Sequence, residues 1–131
     1  MKIKFKKYWR KTSLKREVDS SFLLDHIEKI KPRNFLEIGI FHGVTSRNVC
    51  ELLYIIHGDN FKFTGIDLFS NVESKLNDEI APKTEFSNPL KTIYYNYLLK
   101  LDPYSYESVI RLLKKFSNNV NIIKGDSNQV L

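Results

Sequence analysis

Apolar residues follow two rhythms along this chain, a three-to-four spacing and short unbroken runs, and the two alternate. Leu23, Ile27 and Ile30 fall on one helical face and predict a helix from about Ser20 to Ile30. Asp19 or Ser20 is placed to cap it, and Pro32 to end it. Asn34-Phe35-Leu36-Glu37-Ile38 is short and apolar and stops at Gly39, which reads as a buried strand. Val49, Leu52, Leu53 and Ile56 predict a second helix over about Val44 to Ile56, with Gly58 as its stop. Phe61 to Asp67 reads as a second strand. Asn88-Pro89 opens a third helix, striped by Leu90, Ile93, Tyr94, Tyr97, Leu98 and Leu101 and closed by Pro103. Tyr106, Val109, Ile110 and Leu113 stripe a fourth, from about Ser105 to Phe116. Val120 to Lys124 is a third strand, running into Gly125-Asp126.

Strands that alternate with helices build parallel βαβ units. The expected fold class is therefore α/β, a doubly wound parallel sheet with strand order 3-2-1 and helices on both faces. Right-handed crossovers set that order. Ligands in such sheets bind beyond the carboxyl ends of the strands. Three sequence-distant places then converge on one rim: the Glu37–Ser46 turn, Asp67 with Leu68, and Asp126 with Ser127.

Composition narrows the class. The chain has 131 residues, enough for one domain, and is 42% hydrophobic and 27% charged, as soluble globular proteins are. No apolar run approaches the roughly 20 residues of a membrane span, and no signal-peptide core follows the basic start, so a cytoplasmic location is expected. The lone Cys50 excludes an internal disulfide and a cysteine-rich metal site. The net charge of +6 is uneven: residues 1–16 carry eight basic side chains and no acid, leaving 13 bases against 15 acids elsewhere. The expected organisation is a basic arm over 1–16 and a ligand-binding domain over 17–131, in which 68–103 is a long insertion placed to act as a lid. Phe5, Tyr8 and Trp9 within the arm are the kind of residue that touches nucleic acid or an anionic surface. A solvated leader with its aromatics packed on the domain is the plainer reading; because the excess charge is confined to residues 1–16, they are expected to be dispensable for cofactor binding and to influence partner or substrate contact.

The chemistry sits in Glu37-x-Gly39-x-x-x-Gly43-x-x-Ser46, between a strand and a helix. Gly39 and Gly43 allow a sharp turn and a close ligand approach. The spacing is not the G-x-G-x-x-G that cradles a pyrophosphate, and an acid before the first glycine is unfavourable to a diphosphate. That acid suits a positively charged ligand. An acid after the second strand suits ribose hydroxyls, and Asp126 after the third suits an amino group on a ring.

Phe35 to Ser46 resembles the first motif of class I S-adenosylmethionine-dependent methyltransferases. Phe63 to Phe69 resembles the second, and Asn121 to Ser127 the third. The wording is most similar to the macrocin O-methyltransferase-like branch, and the likeness covers about residues 20–131. It implies a Rossmann-like fold, S-adenosylmethionine as cofactor, and methyl transfer to a hydroxyl of a sugar or small molecule. By position it implies that Glu37 holds the methionine ammonium, that Gly39, Gly43 and Ser46 shape the loop, and that Asp67 and Leu68 border the ribose. Asp126 and Ser127 then border the adenine.

The chain departs from that family in one respect. The fourth strand, which in the family often carries acidic and histidine residues, does not follow the third motif. The expectation is therefore a cofactor-binding half, truncated after the third strand, with no metal site and no identifiable catalytic base. A non-catalytic assembly module, completed by a partner chain, is the alternative. Self-association through an exposed sheet edge is expected in either case. His42 lies in the glycine loop, where an exposed or substrate-facing position is expected. His26 and His57 read as surface residues, and Cys50 as packed.

Overall fold

The computed structural model describes residues 3–69 and 105–130. In chain order they form α1 (Glu17–Ile30), β1 (Asn34–Ile38), α2 (Val44–His57), β2 (Lys62–Asp67), α3 (Tyr106–Leu112), a 3-10 turn (Lys114–Phe116), β3 (Val120–Lys124) and α4 (Ser127–Val130). The expected helix over 88–102 and the expected lid from residue 70 onward lie outside the described residues.

The three strands make one parallel sheet in the order β1-β2-β3. Asn34 pairs with Lys62 and Ile38 with Ile66, while Phe63 pairs with Val120 and Asp67 with Lys124. This is the α/β architecture and strand order expected from the alternation of elements. Two further hydrogen bonds extend the ladder past the strands, from Gly39 N–H to the Ile66 carbonyl (2.8 Å) and from Gly125 N–H to the Asp67 carbonyl (2.9 Å). All three carboxyl ends are thereby held level.

Phe63 and Ile122 meet α1 through Leu24 and Ile27, α2 through Val49, Cys50, Leu52 and Leu53, and α3 through Val109, with Leu113 just past its end, in one hydrophobic cluster. Burying a Leu, Val or Phe side chain fully contributes about 1.5–3 kcal/mol each. Central β2 packs closely because residue 65 is a glycine. A Cβ there would collide with the Cδ1 of Ile40 and come within 3.1 Å of Ile122 Cδ1. β1 differs from the buried strand expected. Its residues alternate, and on the face away from the cluster Leu36 is 49% and Ile38 54% exposed. Among the described residues no element packs over that face of β1, so an apolar run does not ensure burial.

Two helix details also shift. Helix α1 starts at Glu17, and Ser20 sits inside its first turn, donating its hydroxyl hydrogen to the Glu17 carbonyl, while Asp19 pairs with Arg16. Ile30 is exposed, and Leu24 takes the buried place instead. Helix α3 is capped by Ser105, whose Oγ accepts from Ser108 N–H at 3.1 Å.

Residues 3–16 are solvated in part, with Lys4, Lys6, Lys7, Lys11, Lys15 and Arg16 exposed, and packed on the domain in part. Ile3 and Phe5 pack against the core cluster, and Arg10 and Thr12 are buried. Asn48 on α2 pairs with the backbone of Lys6 through both its amide groups, each at 2.8 Å, much as a neighbouring strand would. The Arg47 guanidinium lies 5.0 Å from the centre of the Tyr8 ring. Trp9 is 54% exposed.

Candidate functional site

Five residues, Gly39 to Gly43, join β1 to α2, and three of them adopt left-handed backbone: Gly39 at φ 82°, Phe41 at φ 58° and Gly43 at φ 81°. Glycine takes that conformation without steric cost. A side chain at Gly43 would also press on Val109, 3.3 Å away on α3. Phe41 has no such freedom, and its geometry is held from outside.

The outside support is Asp67, the last residue of β2. Its Oδ2 accepts from Phe41 N–H at 2.8 Å and its Oδ1 from Phe69 N–H at 2.9 Å. Asp67 is 8% exposed and thus staples the glycine loop to the end of the central strand. A carboxylate is an acceptor-only group with about four lone-pair positions.

A pocket of about 340 Å³ lies over this staple. Ile38 and Gly39 line it from β1, Phe41 from the loop, Ile66, Asp67 and Leu68 from β2, and Gly125 and Asp126 from β3. Its size falls in the range of small-molecule sites. Above Gly39 the space is open, since a Cβ there would meet nothing within 4 Å. Leu68 and Phe41 are partly exposed and give the pocket apolar walls. Asp126 is half-buried, and its Oδ1 accepts from Asn128 N–H at 2.9 Å. Among the described residues, the lining holds two carboxylates and no lysine or arginine.

The expected site residues divide into two groups. Gly39, Asp67, Leu68 and Asp126 meet in the pocket. Glu37 and Ser46 meet behind it, between the sheet and α2, where Ser46 Oγ donates to Glu37 Oε1. Burial drives the Glu37 carboxyl up to about 7; the Ser46 hydrogen bond opposes the shift and nearby Asp67 adds to it. Burial, reinforced by Glu37, likewise pushes the Cys50 thiol up. Gly43 lies beneath α3 as the residue preceding α2, and Ser127 opens the short helix α4.

Sequence reasoning missed Phe41 as a pocket wall and Arg10 as a buried residue. It also misplaced His42, which is 1% exposed, with its Nδ1 accepting from Lys11 N–H at 3.1 Å. Burial of Arg10 has no signature in sequence, because a basic run conceals which of its members turns inward. Among the described residues, no group of His, Cys, Asp and Glu side chains is arranged to hold a metal ion, and no helix is long and apolar enough to cross a membrane.

No protein-family model matches this chain, and no curated protein is significantly similar to it.

Proposed function

We propose that the rim pocket binds S-adenosylmethionine and that the chain is the cofactor-binding part of a methyltransferase acting in the cytoplasm on a hydroxyl of a sugar or small molecule. The observation that carries this reading is the lining itself. Among the described residues, two carboxylates with no basic side chain, set beyond the carboxyl ends of three parallel strands, suit a cationic nucleoside and repel a pyrophosphate.

The residues fit such a ligand. Asp67 brings a carboxylate, an acceptor suited to ribose hydroxyls, to the pocket, and Asp126 lines the same space for an amino group. Phe41 and Leu68 offer apolar surface to a flat base. Gly39 lets the ligand approach the backbone. When bound, the cofactor supplies a methyl group activated by a positive sulfur. The protein's part is to orient it and exclude water, for which positioning is the larger contribution. Glu37 acts from behind the loop, through Ser46, and not from the pocket wall.

Calorimetric titration with S-adenosylmethionine, S-adenosylhomocysteine and NAD tests the reading. Either sulfur nucleoside should bind in preference to NAD, and the reverse order would refute it. Asp126→Ala is the cleaner site variant, because its side chain bonds locally, to Asn128 N–H. It should weaken binding by about tenfold or more, as expected for loss of a bond to a charged group.

A further inference from the structure

Residues 3–12 pass along α2, where Lys6 pairs with Asn48, and reach the glycine loop at His42. There Arg10, 7% exposed, places its guanidinium between two elements. One terminal nitrogen donates to the His42 carbonyl and the other to the Ser108 carbonyl on α3, each at 3.1 Å. The next residue, Lys11, donates its N–H to the His42 ring. The His42 ring in turn stacks on Phe41, with centroids 4.0 Å apart and planes 22° from parallel. Phe41 is the pocket wall in left-handed backbone. A continuous set of contacts thus runs from the basic segment to the pocket through His42 and Phe41.

We propose that residues 3–12 are a strap that holds the Gly39–Gly43 loop in its ligand-binding shape, with Arg10 as the positioning residue. This rests on the reading of the rim pocket as the ligand site, and it gives the arm a role that its charge alone does not. The loop is held from both sides. Asp67 fixes Phe41 from the sheet, and the strap fixes His42 from outside. Two carbonyls on separate elements need a planar fork of donors, which a guanidinium has and an ammonium lacks. The remaining basic residues of the strap are exposed and do not share the task.

Arg10→Lys keeps the charge and removes the fork. Hydrogen exchange of the full chain is measured amide by amide, with S-adenosylhomocysteine affinity measured in parallel. The Phe41 and Gly43 amides should exchange about tenfold faster or more, while those of Phe63 and Gly65 in β2 keep their wild-type rates. Affinity should fall by a similar factor. Unchanged loop exchange would overturn the strap, and so would acceleration spread equally over β2, which would mean a merely destabilised fold. If the wild-type chain binds none of the nucleosides, the pocket reading fails, yet loop exchange still decides whether the strap holds the loop.

Discussion

Glu37 is an acid in a place that favours its neutral form. It sits between the sheet and α2, accepts a hydrogen bond from Ser46 and lies near Asp67, and burial is the largest influence on it. Its carboxyl is raised from 4.5 to about 7, so the folded state binds this proton more tightly than the unfolded chain does. The stabilising contribution is complete below about pH 4.5 and is lost as pH rises through about 7. A tenfold difference in proton affinity is equivalent to about 1.4 kcal/mol, which makes the total on the order of 3 kcal/mol. Glu37→Gln mimics the protonated acid and can keep the bond from Ser46. Its stability relative to wild type should therefore rise between pH 5 and 7.5, as read from urea midpoints at several pH values. Parallel curves for the two proteins across that range would disprove the assignment. The acid before the first glycine is visible in the sequence. Its partner and protonation are not, because they depend on which face of the strand α2 covers.

At the level of elements, the glycine loop is shaped by neighbours far away in sequence. Ile40, the second of its five residues, is 3% exposed and points into the place that a side chain at residue 65 would occupy. Gly65 in β2 is thus a space-maker for the loop. Gly65→Ala should cost about 1–3 kcal/mol by overpacking, measured by thermal or urea unfolding. Ile40→Val in the same chain removes the Cδ1 that the new methyl would strike and should recover part of the loss. A double variant no more stable than Gly65→Ala would place the strain elsewhere. The strand and helix positions were legible because hydrophobic rhythm is local: β1 and β3 occupy the predicted spans, and α2 ends one residue beyond its prediction. Side chains that fix the loop from outside were not. Arg10, 32 residues from His42, and Asn48, 42 residues from Lys6, act across distances that no local pattern encodes. For the candidate site, the sequence marked the three strand ends but could not show that Glu37 and Ser46 turn to the helix side while Asp67 and Asp126 face the pocket.

On the scale of the molecule, charge and apolar surface are segregated. The excess of positive charge belongs to residues 1–16, whereas the exposed face of β1 carries Leu36 and Ile38, 49% and 54% accessible. Among the described residues β1 is an end strand of the sheet. An edge strand presents unpaired backbone donors and acceptors, and large apolar side chains beside them favour contact with another chain. Net charge of +6 opposes close approach in general but not at this edge, since the nearest strand residues, Asn34 to Ile38, carry only Glu37. The expected outcome is that the 131-residue chain self-associates, with β1 at the contact. Sedimentation velocity over a range of concentrations should show a mass that grows with concentration. Leu36→Lys with Ile38→Lys should bring the mass back towards that of one chain, because both positions face outward and new charges there repel a second copy. Leu36→Lys alone should disturb nucleoside binding less than the pair does, since Ile38 also lines the pocket. A wild-type chain that stays monomeric at every concentration, or a double variant that associates as the wild type does, would remove β1 from the contact.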